Sequence, residues 1–311
     1  MCTGERCTGV LCRAAERYGI ADCTASILDW VEWMGQMERK MGITVRDFIT
    51  TYFVYIKTFL KSRAEYKVSF VLGMLSNFYC YFITYMSYWV LVNGVDTIEG
   101  WDFSDMSILY GMSLLTYSVS GTLLWYSAYS LEDLIISGQL DIMLLRPQGM
   151  IRQMMFRRFG DTFLGQIVVT VIFLAAAFAS RTELLNVQTM IYLLLAIIGG
   201  IFMQTGSMIL FGAFSFWTMK SGALIDLLFY DLRNMTNYPL ALYPKVLRIF
   251  LTFVLPWAFI NYYPTLFITG KNGTVYETVL GMIAPLVGVL WFLLAMVVFR
   301  LGLKRYTGAG G

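Results

Sequence analysis

Six stretches of the chain carry no Asp, Glu, Lys or Arg: residues 68–95, 106–131, 162–180, 184–219, 249–270 and 278–299. An α-helix needs about 20 apolar residues to cross a hydrocarbon core. The pattern therefore predicts an all-α membrane protein with about six transmembrane helices. Polar residues inside these stretches include Asn77, Thr84, Ser118, Ser120, Thr122, Gln166, Gln204 and Thr205. They read first as interhelical hydrogen-bonding groups and second as the lining of a substrate path. Gly199, Gly200, Gly206 and Gly212 read in the same way, as points of close helix approach.

A different pattern precedes the first stretch. Residues 43–67 are apolar and aromatic but interrupted by charge. Phe48, Tyr52, Tyr55, Phe59 and Ala64 can share one helical face, while Lys57, Lys61 and Arg63 lie elsewhere. This predicts an amphipathic helix in the membrane interface with its cations towards lipid phosphates; a cytosolic extension of the first span is the alternative. Residues 1–42 mix charge, Gly and Thr without a sustained apolar core. They read as a poorly specified extension rather than a secretory signal, with Met34, Met37 and Met41 as alternative starts. Residues 68–311 form the six-span transmembrane domain.

Charge between the stretches gives an orientation. Arg39, Lys40, Arg46, Lys57, Lys61, Arg63 and Lys67 precede the first span, whereas residues 96–105 hold only Asp96, Glu99, Asp102 and Asp105. Arg146, Arg152, Arg157 and Arg158 follow the second span, Arg181 alone marks the next connection, and the tail carries Arg300, Lys304 and Arg305. Positive charge accumulates on cytoplasmic flanks. Both termini are thus expected in the cytoplasm, with 96–105 and 181–186 outside and 132–161 inside.

Composition acts mainly by exclusion. The chain is 58% hydrophobic and 14% charged, with mean hydropathy +0.64, against about 25% charged residues in ordinary soluble domains. A net charge of +3 gives no case for nucleic acid. There is no His, which removes the commonest general base and metal ligand. Cys2, Cys7, Cys12 and Cys23 precede the first span and Cys80 lies within it. On the cytoplasmic side they are reduced thiols, and their steps match no zinc spacing. No metal is expected.

The most informative connection is 131–161, LEDLIISGQLDIMLLRPQGMIRQMMFRRFGD. It is too long and too apolar for a plain turn between antiparallel spans. It either docks a protein partner or packs back on its own bundle. Glu132, the run Gly138-Gln139-Leu140-Asp141 and the run Leu144-Leu145-Arg146-Pro147 resemble the acidic–glycine–leucine–proline pattern after the second span of type-2 ABC export permeases. The likeness is to the branch of six-span permeases with a G-x-L-D-x-x-L-L-R-P-like connection, Met143 standing at one of its leucine positions. It implies that 131–161 is a coupling connection seated in a groove of an ATPase subunit. The residues it assigns to that role are Glu132, Gly138, Leu140, Asp141, Leu144, Arg146 and Pro147.

A second group, Asn237-Tyr238-Pro239, Tyr243-Pro244, Leu247-Arg248, Leu255-Pro256 and Tyr263-Pro264 followed by Gly270, resembles the proline-punctuated region before the last span of that family. It implies re-entrant helices within 238–268 and a fifth span at about 220–236. Hydropathy and positive charge instead make 249–270 the fifth span, with Lys220, Arg233, Lys245 and Arg248 inside. On the family plan Asp226, Asp231 and Arg233 enter the membrane, at a cost of about 2.5–3.5 kcal/mol each near its centre. Asp226 and Arg233, seven residues apart on an α-helix, would share a face and could pair.

No G-x-x-x-x-G-K-[ST] phosphate loop occurs; Gly270-Lys271-Asn272 has Asn where the hydroxyl belongs. The chain is therefore expected to be no enzyme and to hold no cofactor, ATP and Mg residing on separate ABC ATPase subunits. The resemblance further implies a second permease chain, the same or a sister, membrane lipid around the bundle, and a place in a bacterial cytoplasmic membrane. It also implies export of a substrate that the sequence leaves unidentified, amphiphilic or lipid-like by family. The rivals are an ion-coupled secondary transporter, for which only Asp226, Asp231 and Arg233 offer intramembrane charge, and a non-transporting sensor subunit.

Overall fold

The computed structural model describes residues 45–306 apart from 66, 94–99, 147–148, 219–220 and 272. The extension 1–42 with its four cysteines, Asp96, Glu99, Pro147, Lys220 and the side chains of Phe48, Arg63 and Ala64 lie outside the described residues. Among the described residues every regular element is helical. Five helices are long and apolar enough to cross a membrane, and a bent helix pair brings the number to six if counted as one span.

Helix α1 (Val45–Glu65) leads into α2 (Lys67–Asn93), the first span. The second span runs through α3 (Phe103–Ser120), a π-turn (Gly121–Trp125), α4 (Tyr126–Tyr129) and α5 (Leu131–Ile136). It occupies the centre of the bundle: 83% of its apolar window is buried, against 6% for α2. The π-turn has a local cause, since the amide of Gly160 donates to the Thr122 carbonyl at 3.0 Å and so engages a group that a regular helix would use internally.

Short helices α6 (Gln139–Leu144) and α7 (Met150–Arg157) precede the third span, α8 (Phe163–Ser180). Helix α8 fastens α2 to the bundle through the stacked Tyr85 and Phe173 rings, 3.6 Å apart. The fourth span is α9 (Val187–Ala213), extended by α10 (Ser215–Thr218). Its start is capped by Asn186, which accepts from the Thr189 amide at 2.7 Å and relieves an otherwise unsatisfied donor.

The next helix begins as α11 (Gly222–Leu224), widens into a π-helix (Ile225–Leu232) and ends as α12 (Arg233–Met235). Then comes the bent pair. Its first limb is α13 (Lys245–Ile249) with a π-turn (Phe250–Val254), and its second ends in α14 (Tyr262–Thr269). The limbs meet at 78°, where Pro256 interrupts the backbone bonding. The last span, α15 (Val275–Arg305), opens on a Thr274–Glu277 capping box and closes with Lys304 and Arg305 against its dipole.

Contacts define two ends. At one, Asp105 lies within 2.7 Å of Arg181 and 2.5 Å of Lys271. At the other, Glu132 meets Ser221 and Gly222, and α15 finishes on α10 with Phe216 and Phe299 5.5 Å apart. The 222–235 helix rises from the Glu132 end. Its far end is pinned to α3 by the Ser113–Asn237 bond of 2.8 Å. The bent pair reaches furthest into the bundle at Trp257, whose indole N–H donates to Ser207 of α9. Thr252 and Tyr263 hydrogen-bond across its two limbs, and Lys271 just beyond α14 is back at the Asp105 end.

Candidate functional site

The 131–161 connection gathers at the Glu132 end. Glu132 lies in the first turn of α5, and its carboxylate accepts from the backbone amides of Ser221 at 2.8 Å and Gly222 at 3.0 Å. These are unsatisfied donors at the start of α11, so one side chain ties the connection to the 222–235 helix. Gly138 separates α5 from α6 with φ +69, a left-handed conformation that only residues without a Cβ adopt readily. The chain turns there and α6 begins at once.

Helix α6 divides its apolar residues between two sides. Leu140 and Met143 are buried against the bundle, while Ile142 and Leu145 are 58% and 75% exposed, next to Ile136 at 60%. Helix α7 grips α6 from behind. Gln153 donates to the Met143 carbonyl at 2.9 Å, and Arg157 donates to the Gln139 side chain at 3.1 Å. Asp133, Leu134, Ile136, Ser137, Gln139 and Arg157 line an open groove of about 260 Å³. Asp141 sits half-buried in the first turn of α6, and its Oδ1 has no hydrogen-bond partner. Leu144 is half-buried and Arg146 exposed.

Helix α1 braces the same region. Tyr52 and Tyr55 pack on Phe156 of α7 at 5.5 and 5.7 Å, and Phe59 on Phe159 at 5.8 Å. Two further apolar side chains of α1, Phe53 and Val54, are exposed. The amphipathic helix thus turns its aromatic face to the connection and leaves a second apolar strip open.

This arrangement presents short, rigidly held amphipathic helices joined to the long spans on both sides, with an apolar surface facing away from the bundle. The family model for ABC-2 family transporter proteins matches residues 78–310, which include the whole connection. The chain belongs to the ABC-2 transporter family. No curated protein and no solved structure is significantly similar to it. As an ABC-2 membrane protein it is a transport permease, and family membership implies partnership with ABC ATPase subunits.

Of the residues that the resemblance singles out, Glu132, Gly138, Leu140, Asp141, Leu144 and Arg146 lie together at this end; Pro147 is outside the described residues. They divide by position. Glu132 and Leu140 face inward and hold the connection in place, whereas the exposed surface is made by Ile136, Ile142 and Leu145. The apolar content of the connection flagged all three in the sequence, but which of its apolar residues stay exposed is visible only in the structure.

Asp226 and Arg233 are not brought together. The π-helix between them has i→i+5 bonding and a wider turn than 3.6 residues, so positions seven apart no longer share a face. Asp226 is exposed. Arg233 is 5% exposed, with its guanidinium 4.0 Å over the Tyr117 ring, and no ion pair joins the two. Gln166 and Gln204 are wholly buried, with amide atoms lacking partners. Among the described residues no group of three or more Cys, Asp or Glu side chains is placed to hold a metal.

Proposed function

We propose that this permease is the membrane subunit of an ATP-driven exporter, powered by a separate ATPase subunit that docks on residues 131–161. The observation carrying this reading is the exposed trio Ile136, Ile142 and Leu145 on helices gripped from behind by α7. An apolar surface on a rigid, tethered element fits a groove in a partner. A partner that moves it transmits displacement through Glu132 to the 222–235 helix and through α5 to the central span.

Charge supports placing this end in the cytoplasm, since Arg146, Arg157, Arg158, Arg300, Lys304 and Arg305 gather there. On that orientation the bent pair is a re-entrant hairpin entering from outside, and both termini are cytoplasmic. A six-span permease of this family is read as half of a transport unit, with a second copy or a sister chain completing it. The cytoplasmic membrane of a bacterium is the proposed location.

The test is crosslinking in a co-purified permease–ATPase complex. With the native cysteines replaced, a cysteine at Leu145 is expected to crosslink to the ATPase, and one at Leu185 is not. An intact complex in which position 145 never crosslinks overturns the assignment.

A further inference from the structure

Arg233 is buried in the interior of the bundle, in the last turn of the 222–235 helix, four residues before the Asn237 that bonds Ser113. Its Nη2 donates to Asn234 at 2.9 Å, while Nε and Nη1 have no partner. Among the described residues no carboxylate pairs with it. A cationic side chain held inside a membrane protein without a counter-ion is by default a functional-site hypothesis.

The surroundings are of two kinds. Below Arg233, towards the Glu132 end, Tyr117, Phe229, Trp125 and Trp257 form a continuous aromatic wall with ring centroids 5.7–6.2 Å apart. Beside it lies a polar belt. The Asn261 amide donates to the Leu109 and Thr236 carbonyls at 3.3 and 2.7 Å, and its Oδ1 is left without a partner. Unpartnered donors on a cation, set against aromatic side chains at membrane depth, match a ligand with an oxyanion at one end and an apolar body.

We propose that Arg233 binds the oxyanion, a carboxylate or phosphate, of an amphiphilic substrate whose apolar chain lies along the Tyr117–Trp257 wall. This rests on the exporter reading and narrows its substrate to anionic amphiphiles. In the sealed arrangement seen here Tyr117 covers the guanidinium, so the ring is the group the ligand displaces.

The experiment uses the purified full-length permease in a non-ionic detergent, titrated calorimetrically with dodecyl phosphate, dodecanoate, dodecanol, dodecyltrimethylammonium and inorganic phosphate. Saturable binding is expected for the first two only, and their ratio distinguishes phosphate from carboxylate recognition. R233Q should weaken it roughly tenfold or more, the scale of a lost charge-assisted hydrogen bond. R233K, which keeps the charge but not the planar donor array, should recover part of the affinity.

Unchanged binding by a monodisperse R233Q overturns the proposal, as does wild-type binding of dodecanol or the cationic chain with equal affinity, or of inorganic phosphate alone. If R233Q does not fold, the wild-type ranking decides. ATPase capture is measured on the same preparations. Lost anion selectivity with intact capture removes this inference and leaves the exporter reading; the reverse result removes the exporter reading.

Discussion

At the residue scale, Glu132 holds two elements together. Its carboxylate satisfies two amides 89 and 90 positions further along the chain. E132A should lower stability by about 1–2 kcal/mol, the scale of a lost helix cap, and E132Q, which keeps an acceptor oxygen, should lose less. Thermal unfolding in detergent checks the ranking, and equal melting of E132A and wild type would show that the cap is dispensable. The sequence pattern marked Glu132 as part of the connection but gave no hint of its partner, because an acceptor for backbone amides has no partner side chain to recognise. Gly138 was legible as a break, and its φ of +69 supplies the reason. The Asp226–Arg233 pairing failed for the opposite reason. Seven-residue spacing carries face information only if the helix is α, and nothing in Ile225–Leu232 announces a π-helix.

Elements are joined most visibly at Asp105. The carboxylate is fully buried and receives Arg181 from the connection after α8 and Lys271 from the turn after α14, while Lys271 also donates to the Gly100 carbonyl. Three connections therefore converge on one side chain. Arg181 and Lys271 are 21% and 29% exposed, so solvent weakens each pair, and D105N should destabilise by about 2 kcal/mol, below the range for fully buried pairs. R181A added to D105N should cost much less than R181A alone; additive losses in that double-mutant cycle would show that the groups act independently. In the sequence the acidic loop and the lone Arg181 serve only as orientation markers. The apolar spans themselves were legible because uninterrupted length is enough to define them. Hydropathy alone reads 249–270 as one element, since it counts residues and ignores what Pro256 does to the backbone; the prolines are what marked 238–268 as broken.

For the whole molecule, orientation can be read from Lys245. If the Glu132 end is cytoplasmic and the bent pair enters from outside, a single cysteine at Lys245 should react with an impermeant thiol reagent in intact cells. Protection there, with a cysteine at Gly100 labelled normally, would place Lys245 on the cytoplasmic side and turn the bent pair into a broken crossing. An all-α bundle of five to six spans followed from the distribution of uncharged stretches, whereas the order of packing did not: nothing in the apolar runs distinguishes the enclosed second span from the peripheral α2. The glycines of α9 do make that kind of distinction. A Cβ on Gly199 would stand 2.5 Å from the Cα of Pro285, one on Gly206 would stand 2.9 Å from the Cα of Phe292, and Gly288 faces the Gly199 carbonyl. Backbones this close leave no room to slip by a residue, so α9 and α15 form a keel. On the exporter proposed above, the moving parts are expected among the lighter timbers, α2, α8 and the 222–269 segment, swinging against a beam that stays still.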